Sequence, residues 1–279
     1  MRQVLREVDR DPKPKAVHQM RTTIRRTEAL WKARRIEVSE KPKSLARQLA
    51  KLRRRGGKVR DLDIQIKLLS SLNVGGNLGA KARLKDSLEE ERRRREKKLT
   101  SDLEGKGLKK LLKRLSEVHV ASEAASSAPT RLNQVNRELA NLKGGATKLA
   151  TFSPEQLHEF RIRCKKIRYT AELLPQTPET AGAIKKLKIM QDAVGEWHDW
   201  LNLMRTAEDE FSSSERSLLS AIRNTAQAKF SEALRVCQHT LREISFAHAF
   251  AEAAAAQKKT VEREPSLGDT RLAAHKASA

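Results

Sequence analysis

Apolar residues along most of this chain recur every three or four positions, the spacing that gives an α-helix one hydrophobic face. Strand-like alternation of Val, Ile, Thr or Tyr is absent from the sequence. Aromatic residues make up 4% of it, and only 12 of its 279 residues are glycine. Leu, Ala, Arg, Lys and Glu dominate the rest, and all five favour helices. The sequence therefore predicts an all-α protein.

Prolines and glycines divide this pattern into a series of predicted helices. Ser44 is the candidate N-cap of the third helix, and Pro42 is expected to close the second. Ser153 is the candidate N-cap of the seventh helix, which has a proline at its first position. Glycine pairs mark a candidate bend at 56–57 and a break at 144–145. The predicted helices cover, approximately, 1–9, 16–38, 45–72, 80–103, 108–119, 131–149, 154–174, 180–210, 213–241 and 243–257.

The stretch VASEAASSAPT, residues 120–130, is small and polar and interrupts the helical pattern, which predicts a linker. It separates two helical halves, 1–119 and 131–257, that together form one predicted domain. Residues 258–279 are charged and aperiodic, so we expect a disordered tail. No apolar run is long enough for a signal peptide or a membrane span, and the sequence predicts a cytoplasmic protein.

One histidine-based motif occurs twice, 140 positions apart. In each copy an arginine follows the histidine by three positions, and two basic residues follow it by seven and eight. The members are His18, Arg21, Arg25 and Arg26, and then His158, Arg161, Lys165 and Lys166. The next helices also correspond, pairing Gly57 with Gly195, Arg60 with His198, and Asp61 with Asp199. Two nearly equal offsets predict an internal duplication, with two four-helix bundles related by a pseudo-twofold axis.

Each motif places its cations in one stripe beside the histidine and opposite an apolar face, taking about 100° per residue. The first stripe also includes Lys32, and the second includes Arg168 and Tyr169. A charged stripe is ordinarily a solvated face, and such faces mix Lys with Glu. Here like charges stack along the helix, which costs about a few tenths of a kcal/mol per pair. Repetition of that cost on two helices favours a binding site.

The formal net charge of +23 indicates a polyanionic partner. Charge alone leaves inorganic polyphosphate, nucleic acid and an anionic membrane surface as candidates. Arginine, lysine and histidine together favour phosphate oxygens over carboxylates or metals. Neighbouring cations disfavour a charged histidine, whereas a bound polyanion favours it. We therefore expect His18 and His158 to take up protons as the ligand binds.

These motifs resemble those of the CHAD family, the conserved histidine α-helical domain. The spacing from histidine to basic residues is present in both copies, and the second continues as KKIRYTAELL, Lys165–Leu174. The stretch GGKVRDLD, Gly56–Asp63, is similar to the family's glycine-Arg-Asp motif, and VGEWHDWL, Val194–Leu201, looks like a weaker copy. Glu28 departs from the family pattern, which is often basic there. The resemblance covers about residues 1–257.

The resemblance implies two four-helix bundles around a central basic channel that binds inorganic polyphosphate, with no known chemistry of its own. We accordingly predict a nonenzymatic module without a cofactor, with polyphosphate granules as a candidate location. The predicted binding set combines the motif residues with the other members of the two stripes and with Arg60. Its members are His18, Arg21, Arg25, Arg26, Lys32, Arg60, His158, Arg161, Lys165, Lys166, Arg168 and Tyr169. Asp61, Asp199 and His198 are predicted to support this set by orienting neighbouring cations.

The sequence offers little for catalysis or metal binding. No two histidines stand at i,i+4 and no cysteine lies at ligand spacing, so no metal site is predicted. Cys164 falls on the apolar face of its helix, which indicates a core residue. The stretch EEERR, Glu89–Arg93, only approximates the E-x-E-x-K strand of the triphosphatases found in some relatives, and it lies within a helical run. A hydrolase, phosphotransfer or regulatory role in polyphosphate metabolism is therefore a weaker alternative than binding.

Nonspecific nucleic-acid binding is the main alternative, because clustered cations suffice for it. Proteins that bind single strands usually present several aromatic side chains for stacking. Trp31, Trp197 and Trp200 are expected in the core, which leaves Tyr169 as the main stacking candidate. Membrane attachment is weaker still, since the cationic stripes lack flanking Trp or Phe anchors.

Overall fold

The structure is a computed structural model, and it describes residues 1–33, 40–74, 78–117, 128–211 and 215–244. These residues form helices and turns without a strand among them, which confirms the all-α prediction. The helices are α1 (Arg2–Arg10), α2 (Pro14–Ala33), α3 (Glu40–Ser71), α4 (Leu78–Thr100), α5 (Lys106–Ser116), α6 (Ala128–Gly144), α7 (Pro154–Ala171), α8 (Pro178–Phe211) and α9 (Arg216–Glu243). A 3₁₀ helix (Ala146–Thr151) links α6 to α7.

Four helices form the centre of the molecule. The two longest, α3 and α8, pack against each other, while α2 lies along α3 and α7 lies along α8. The helices α2 and α7 also contact each other. Outside this group, α4 covers α3, α9 covers α8, α1 packs on α2 and α5, and α6 packs on α7. The helices α2, α3, α7 and α8 therefore surround a common space.

Two apolar cores hold these helices in place. The first joins α1, α2 and α5 to the facing parts of α3 and α4, with Met20 and Leu49 fully buried. The second joins α6, α7, α8 and α9 and includes Phe160 and Trp197. Full burial of a side chain of this size contributes about 1.5–3 kcal/mol to folding. Each core therefore fixes the apolar face of one cationic helix, α2 or α7, and turns its charged face away from the core.

A third core ties the first half of the sequence to the second. It packs Leu69 of α3 and Leu84 of α4 with Leu203 of α8 and Ile222 of α9. Trp200 also belongs to this cluster. The contact fixes α3 relative to α8, and the cationic faces of α2 and α7 are held close together as a result.

The three tryptophans all pack on an apolar core, as the sequence predicts. Trp200 is buried in the third core and Trp197 in the second. Trp31 is partly buried against the first core. The tryptophan rings therefore serve mainly to pack the helices together.

The start of α7 follows the sequence signal closely. Ser153 is the N-cap and Pro154 is the first helical residue. The Gln156 backbone N–H donates to Ser153 Oγ at 3.3 Å, and the Ser153 N–H donates to Gln156 Oε1 at 2.7 Å. This capping box satisfies two helix-terminal donors and fixes where the helix begins. It thereby sets the rotational position of every cation along α7.

Several predicted boundaries differ from the structure. The helix α3 begins at Glu40, so Ser44 is not its N-cap and Pro42 lies in its first turn. Proline is tolerated in a first turn because the missing N–H has no helical acceptor there. The helix α3 also continues through the predicted bend at 56–57. The predicted break at 144–145 is confirmed, since α6 ends at Gly144.

Other boundaries fall partly beyond the described residues. The predicted end of the second helix lies in 34–39, and most of the predicted linker lies in 118–127, both outside the described part. Residues 128–130 of that linker belong to α6. The helix α9 ends at Glu243, while most of the predicted last helix and all of the predicted tail lie outside the described part. The two-bundle duplication remains a prediction.

No helix in the described part of the chain combines the length and the apolar character that crossing a membrane requires.

Candidate functional site

The helices α2, α3, α7 and α8 enclose a cavity of about 710 Å³, which we call the basic cavity. Its wall carries eight arginine or lysine side chains and four carboxylates. The cationic and histidine residues are His18, Arg21, Arg25, Arg26, Arg60, Arg161, Lys165, Arg168, Lys188 and His198, and the acidic ones are Asp61, Asp192, Glu196 and Asp199. All four helices contribute cations, so the cavity gathers charge from both halves of the sequence.

Two arginines occupy corresponding places on opposite sides of the basic cavity. Arg21 lies against Gly57 of α3, and Arg161 lies against Gly195 of α8. A Cβ atom at Gly57 would stand 3.7 Å from Arg21 Nη2, and one at Gly195 would stand 3.8 Å from Arg161 Nη2. Each guanidinium group therefore lies beside the glycine of the facing helix, within van der Waals reach of the place that a side chain there would occupy. The glycine and arginine that correspond in the two copies of the sequence thus lie next to each other in both halves.

Both of these guanidinium groups are incompletely satisfied. The Nε atoms of Arg21 and Arg161 are buried and have no hydrogen-bond partner among the described residues. The side chain of Arg21 is 16% exposed, and Asp61 Oδ1 stands 4.0 Å from its Nη1. Burial lowers the pKa of both arginines. A buried cation without full pairing costs free energy that a bound anion can recover.

Four cations of the cavity wall have neither an ion pair nor a hydrogen bond within the described residues. They are Arg25, Arg60, Arg161 and Lys165. Burial lowers the pKa of Lys165 to about 7, helped by the nearby charges of Arg161, Arg25 and Arg21. Burial is the larger cause of this lowered pKa and the three arginine charges add to it, so the surroundings of Lys165 are both poorly solvated and positive. The binding of an anionic ligand in the basic cavity is therefore electrostatically favourable.

Arg168 is held more firmly than these four. Its Nε donates to Gln191 Oε1 at 2.9 Å, and Gln191 Nε2 donates in turn to the Cys164 carbonyl oxygen at 3.0 Å. Its guanidinium also pairs with Glu172 and lies 4.6 Å from the centre of the Tyr169 ring. Arg168 thus fixes α7 against α8 and presents one side to the cavity.

Two acidic side chains of the wall, Asp61 and Asp199, have a raised pKa, which is the direction that burial favours. Burial raises the pKa of Asp199 to about 6, and it raises the pKa of Asp61 as well. The Asp61 side chain is 52% exposed, although protein surrounds it on several sides where it lines the cavity. The neighbouring cations oppose both shifts without cancelling them.

The histidines of the wall are shifted toward the neutral form. Burial lowers the pKa of His198 to about 4, and the charge of Arg161 is the next cause. His18 is exposed, and partial burial together with the charges of Arg60, Arg21 and Arg25 lowers its pKa. Both rings can therefore gain a proton when negative charge enters the cavity.

The structure brings together most of the predicted binding set. Nine of its twelve members line the cavity, as do the three predicted supporting residues, Asp61, Asp199 and His198. The nine are His18, Arg21, Arg25, Arg26, Arg60, Arg161, Lys165, Arg168 and Tyr169. This colocation is geometric, and the binding role of each residue remains a prediction.

Three members of the set lie elsewhere. Lys166 points toward α6 and pairs with Glu138, so it stands outside the cavity. His158 is not part of the lining and stacks on His198 instead, with ring centres 5.0 Å apart. The Lys32 side chain lies outside the described residues.

Sequence reasoning missed four polar residues of the wall on α8. Lys188 and Asp192 form an i,i+4 pair, the pattern of an ordinary solvated face, which concealed them. Glu196 pairs with Lys229 of α9, a contact between helices that no pattern within α8 reports. Gln191 is buried, and its signal was a polar residue among the apolar positions of α8.

Cys164 is buried in the second core, as the sequence predicts. Burial raises the pKa of its thiol well above the ordinary value. A thiol of this kind is a poor nucleophile, because the thiolate is the reactive form.

Comparison with known proteins assigns this helical protein to a family. The sequence profile of the CHAD domain matches residues 1–208, about three quarters of the chain. The chain therefore belongs to the CHAD domain family.

A solved structure shares the same arrangement of helices. The crystal structure of the CHAD domain from the plant Ricinus communis superposes with a TM-score of 0.64 at 16% sequence identity. The match covers 87% of this chain and 86% of that chain, which supports the fold. A search among curated proteins found no match.

Proposed function

We propose that the basic cavity binds inorganic polyphosphate and leaves it chemically unchanged. The carrying observation is a group of unpaired cations gathered from three helices around one cavity, Arg25 of α2, Arg60 of α3, and Arg161 and Lys165 of α7. All four side chains are partly buried, and a protein ordinarily pairs such charges or exposes them fully, because removing an unpaired charge from water is unfavourable. Unpaired cations in such a place fit a site whose negative charge comes from a bound anionic ligand.

The chemistry of the wall suits phosphate in particular. Guanidinium groups bind phosphate oxygens through two parallel donors, and ammonium groups act as point charges. Arg21 and Arg161 both line the cavity and supply guanidinium groups of this kind. A long polyanion would engage several cations at once and release counterions, so its affinity should be multivalent and should fall steeply with salt.

Nucleic acid is the competing ligand. In the described part of the chain Trp197 and Trp200 are buried, and the Tyr169 ring is covered on one side by Arg168. Bases would therefore find little aromatic surface for stacking. The cavity instead favours a slender chain of phosphates that carries no bases.

Calorimetric titration with long-chain polyphosphate at near-physiological salt, in the presence of single-stranded or duplex DNA, tests this proposal. Tight binding that DNA does not displace is the expected result. Equal displacement by DNA would show a basic surface without selectivity, and the nucleic-acid alternative would replace the proposal.

The absence of catalysis is tested separately. Polyphosphate incubated with the protein and Mg²⁺ should release no phosphate above the background of a His18→Ala/His158→Ala variant. Steady release that the double variant loses would contradict a purely binding role and favour a hydrolase.

We further propose a cytoplasmic location at polyphosphate granules, since a binder of long chains should concentrate where they accumulate. A fluorescent fusion should overlap with stained granules, and an Arg161→Glu fusion should not. Equal overlap of both fusions would contradict recruitment through the cavity.

A further inference from the structure

A second cavity of about 520 Å³ lies between α3 and α4, next to the basic cavity. Its wall includes Arg60, Asp63 and Lys67 of α3 together with Glu89, Arg92 and Arg93 of α4. Arg60 also lines the basic cavity, so this side chain belongs to both walls. The two cavities are therefore neighbours separated by one helix.

The order of residues on α3 shows how the two cavities are arranged. We set the angular position of Arg60 around the helix axis to 0° and advance it by about 100° for each following residue. The other α3 residues of the basic cavity, Asp61, Ile64 and Leu68, then fall between about 40° and 100°. Those of the second cavity, Asp63, Ile66 and Lys67, fall between about 240° and 340°. Arg60 and Lys67 consequently stand along the ridge that divides the cavities.

The carboxylates of the second cavity are largely neutralised. Asp63 is 5% exposed and accepts from Arg92 Nε at 2.7 Å, and Arg92 also pairs with Glu96. Glu89 Oε1 lies 3.6 Å from Lys85 Nζ. Asp63 Oδ2 is buried without a hydrogen-bond partner among the described residues. The pairs offset the charge of Arg92 as well as that of the carboxylates, so the unpaired positive charge beside this cavity is that of Arg60 and Lys67.

The cations on the ridge are in the opposite state. Arg60 and Lys67 have no ion pair within the described residues. They stand seven residues apart on α3, which is about 10 Å along the helix axis. Two unpaired cations therefore mark a path from one cavity to the other.

We propose that a long polyphosphate chain held in the basic cavity crosses the α3 ridge at Arg60 and continues past Lys67 into the second cavity. This inference rests on the proposed function and assigns its chain-length preference. A chain of a few phosphates fits within the basic cavity, whereas a longer chain also reaches Lys67 on the wall of the second cavity, where Arg92 and Arg93 are already paired with carboxylates. The second cavity therefore discriminates long chains from short ones.

The test compares Lys67→Glu with Lys58→Glu, a matched charge reversal on α3. Lys58 is exposed, lies at about 160° from Arg60, and lines neither cavity. Calorimetry with tripolyphosphate and with long-chain polyphosphate gives four affinities to set against the parent protein. Arg161→Glu is included to report on the basic cavity, and circular dichroism checks that each variant is folded.

Lys67→Glu should weaken long-chain binding by about five- to tenfold and tripolyphosphate binding by less than about twofold. Lys58→Glu should change neither by more than about twofold. If Lys67→Glu weakened the binding of both ligands equally, or of neither, the proposed role of the second cavity would be overturned. Retention of both ligands by Arg161→Glu would instead overturn the proposed function, and this inference with it.

Discussion

The basic cavity and the arginine run on α4 contain the same kind of residue in opposite electrostatic states. The run spans Arg92–Arg95, and each of its arginines pairs with a carboxylate, mostly one turn earlier on the same helix. In the cavity, Arg25, Arg60 and Arg161 have no such pair within the described residues. The contrast arises because α4 alternates blocks of Glu and Arg, whereas the stripes on α2 and α7 place cation on cation.

This difference shows that local pairing, and not the number of cations, distinguishes the proposed binding site from the arginine run. Four adjacent arginines are the most conspicuous basic feature of the sequence, yet carboxylates nearby offset their charge, mostly those of glutamates on the same helix. Exposed pairs of this kind contribute about 0.2–1 kcal/mol to stability and leave little field for a ligand. Arg25, Arg60, Arg161 and Lys165 of the cavity have no ion pair within the described residues, and burial together with the neighbouring arginine charges lowers the pKa of Lys165.

Removal of one partly buried cavity arginine should have the largest effect. Arg161→Gln is expected to weaken polyphosphate binding by about 10- to 100-fold, because it deletes a charged donor with no other partner. Its Tm in the absence of ligand should not fall, since the Nε atom is unsatisfied in the free protein. Calorimetry and thermal unfolding measure the two quantities. A lower Tm with unchanged affinity would mean that Arg161 is a structural residue.

Replacement of Lys165 should separate binding from stability. Lys165→Met is expected to weaken polyphosphate binding by about tenfold, the loss of one charged contact. The ligand-free protein should gain about 2–4 °C in Tm at pH 6, if roughly 1 kcal/mol of burial cost is removed. Thermal scans with and without polyphosphate distinguish the two effects. A variant that loses stability and keeps its affinity would contradict the account.

The pH dependence follows from the same lysine. Its folded pKa, about 7, lies below the ordinary value of 10.5, so the unfolded state holds more protons between these values. The ligand-free protein should therefore gain stability as the pH rises through this window. Binding has the opposite trend, because phosphate favours the charged lysine, and affinity should fall about tenfold from pH 6 to pH 8. Thermal unfolding and calorimetry across this range measure the two trends.

Lys165→Arg is the control for this pH dependence, since arginine stays charged throughout the range. The variant should bind at pH 8 nearly as well as at pH 6, apart from the contribution of His18. A profile identical to that of the parent protein would assign the titration to another group.

Removal of a wall carboxylate should have the smallest effect and the opposite sign. Asp199→Asn is expected to strengthen polyphosphate binding by about threefold, because it deletes a negative charge without breaking an ion pair to Arg161. Calorimetry at pH 7.5, above the pKa of about 6 of this carboxyl, gives the comparison. Weaker binding would show that Asp199 orients a cation, the role that its sequence motif predicts.

Much of the site follows from the sequence because helical periodicity fixes which side chains share a face. The stripes on α2 and α7 and the glycines at 57 and 195 were visible as spacing, and the structure places Arg21 and Arg161 on those glycines. The second position of each basic pair has different outcomes, since Arg26 lines the cavity as predicted and Lys166 does not. Arg26 and Lys166 lie at the edge of their stripes, where neighbouring carboxylates attract them, Glu172 for the first and Glu138 for the second.

Contacts between helices set the rest, and no pattern within one helix reports them. The stacking of His158 on His198 and the placement of Gln191 against Arg168 depend on how α7 meets α8. The second cavity depends on the packing of α4 against α3. The departure from the family pattern at Glu28 also has a role between helices, since Glu28 Oε1 accepts from Arg53 Nε at 3.1 Å and joins α2 to α3.

The most direct test compares two double charge reversals that lower the net charge by the same amount. Arg21→Glu/Arg161→Glu alters the basic cavity, and Arg94→Glu/Arg95→Glu alters the arginine run, where Arg94 is 65% exposed. Calorimetry with long-chain polyphosphate at near-physiological salt measures both. The account predicts that the cavity variant loses binding while the run variant stays within about twofold of the parent. Equal losses in the two variants would show that net charge alone attracts the ligand and would contradict the central claim.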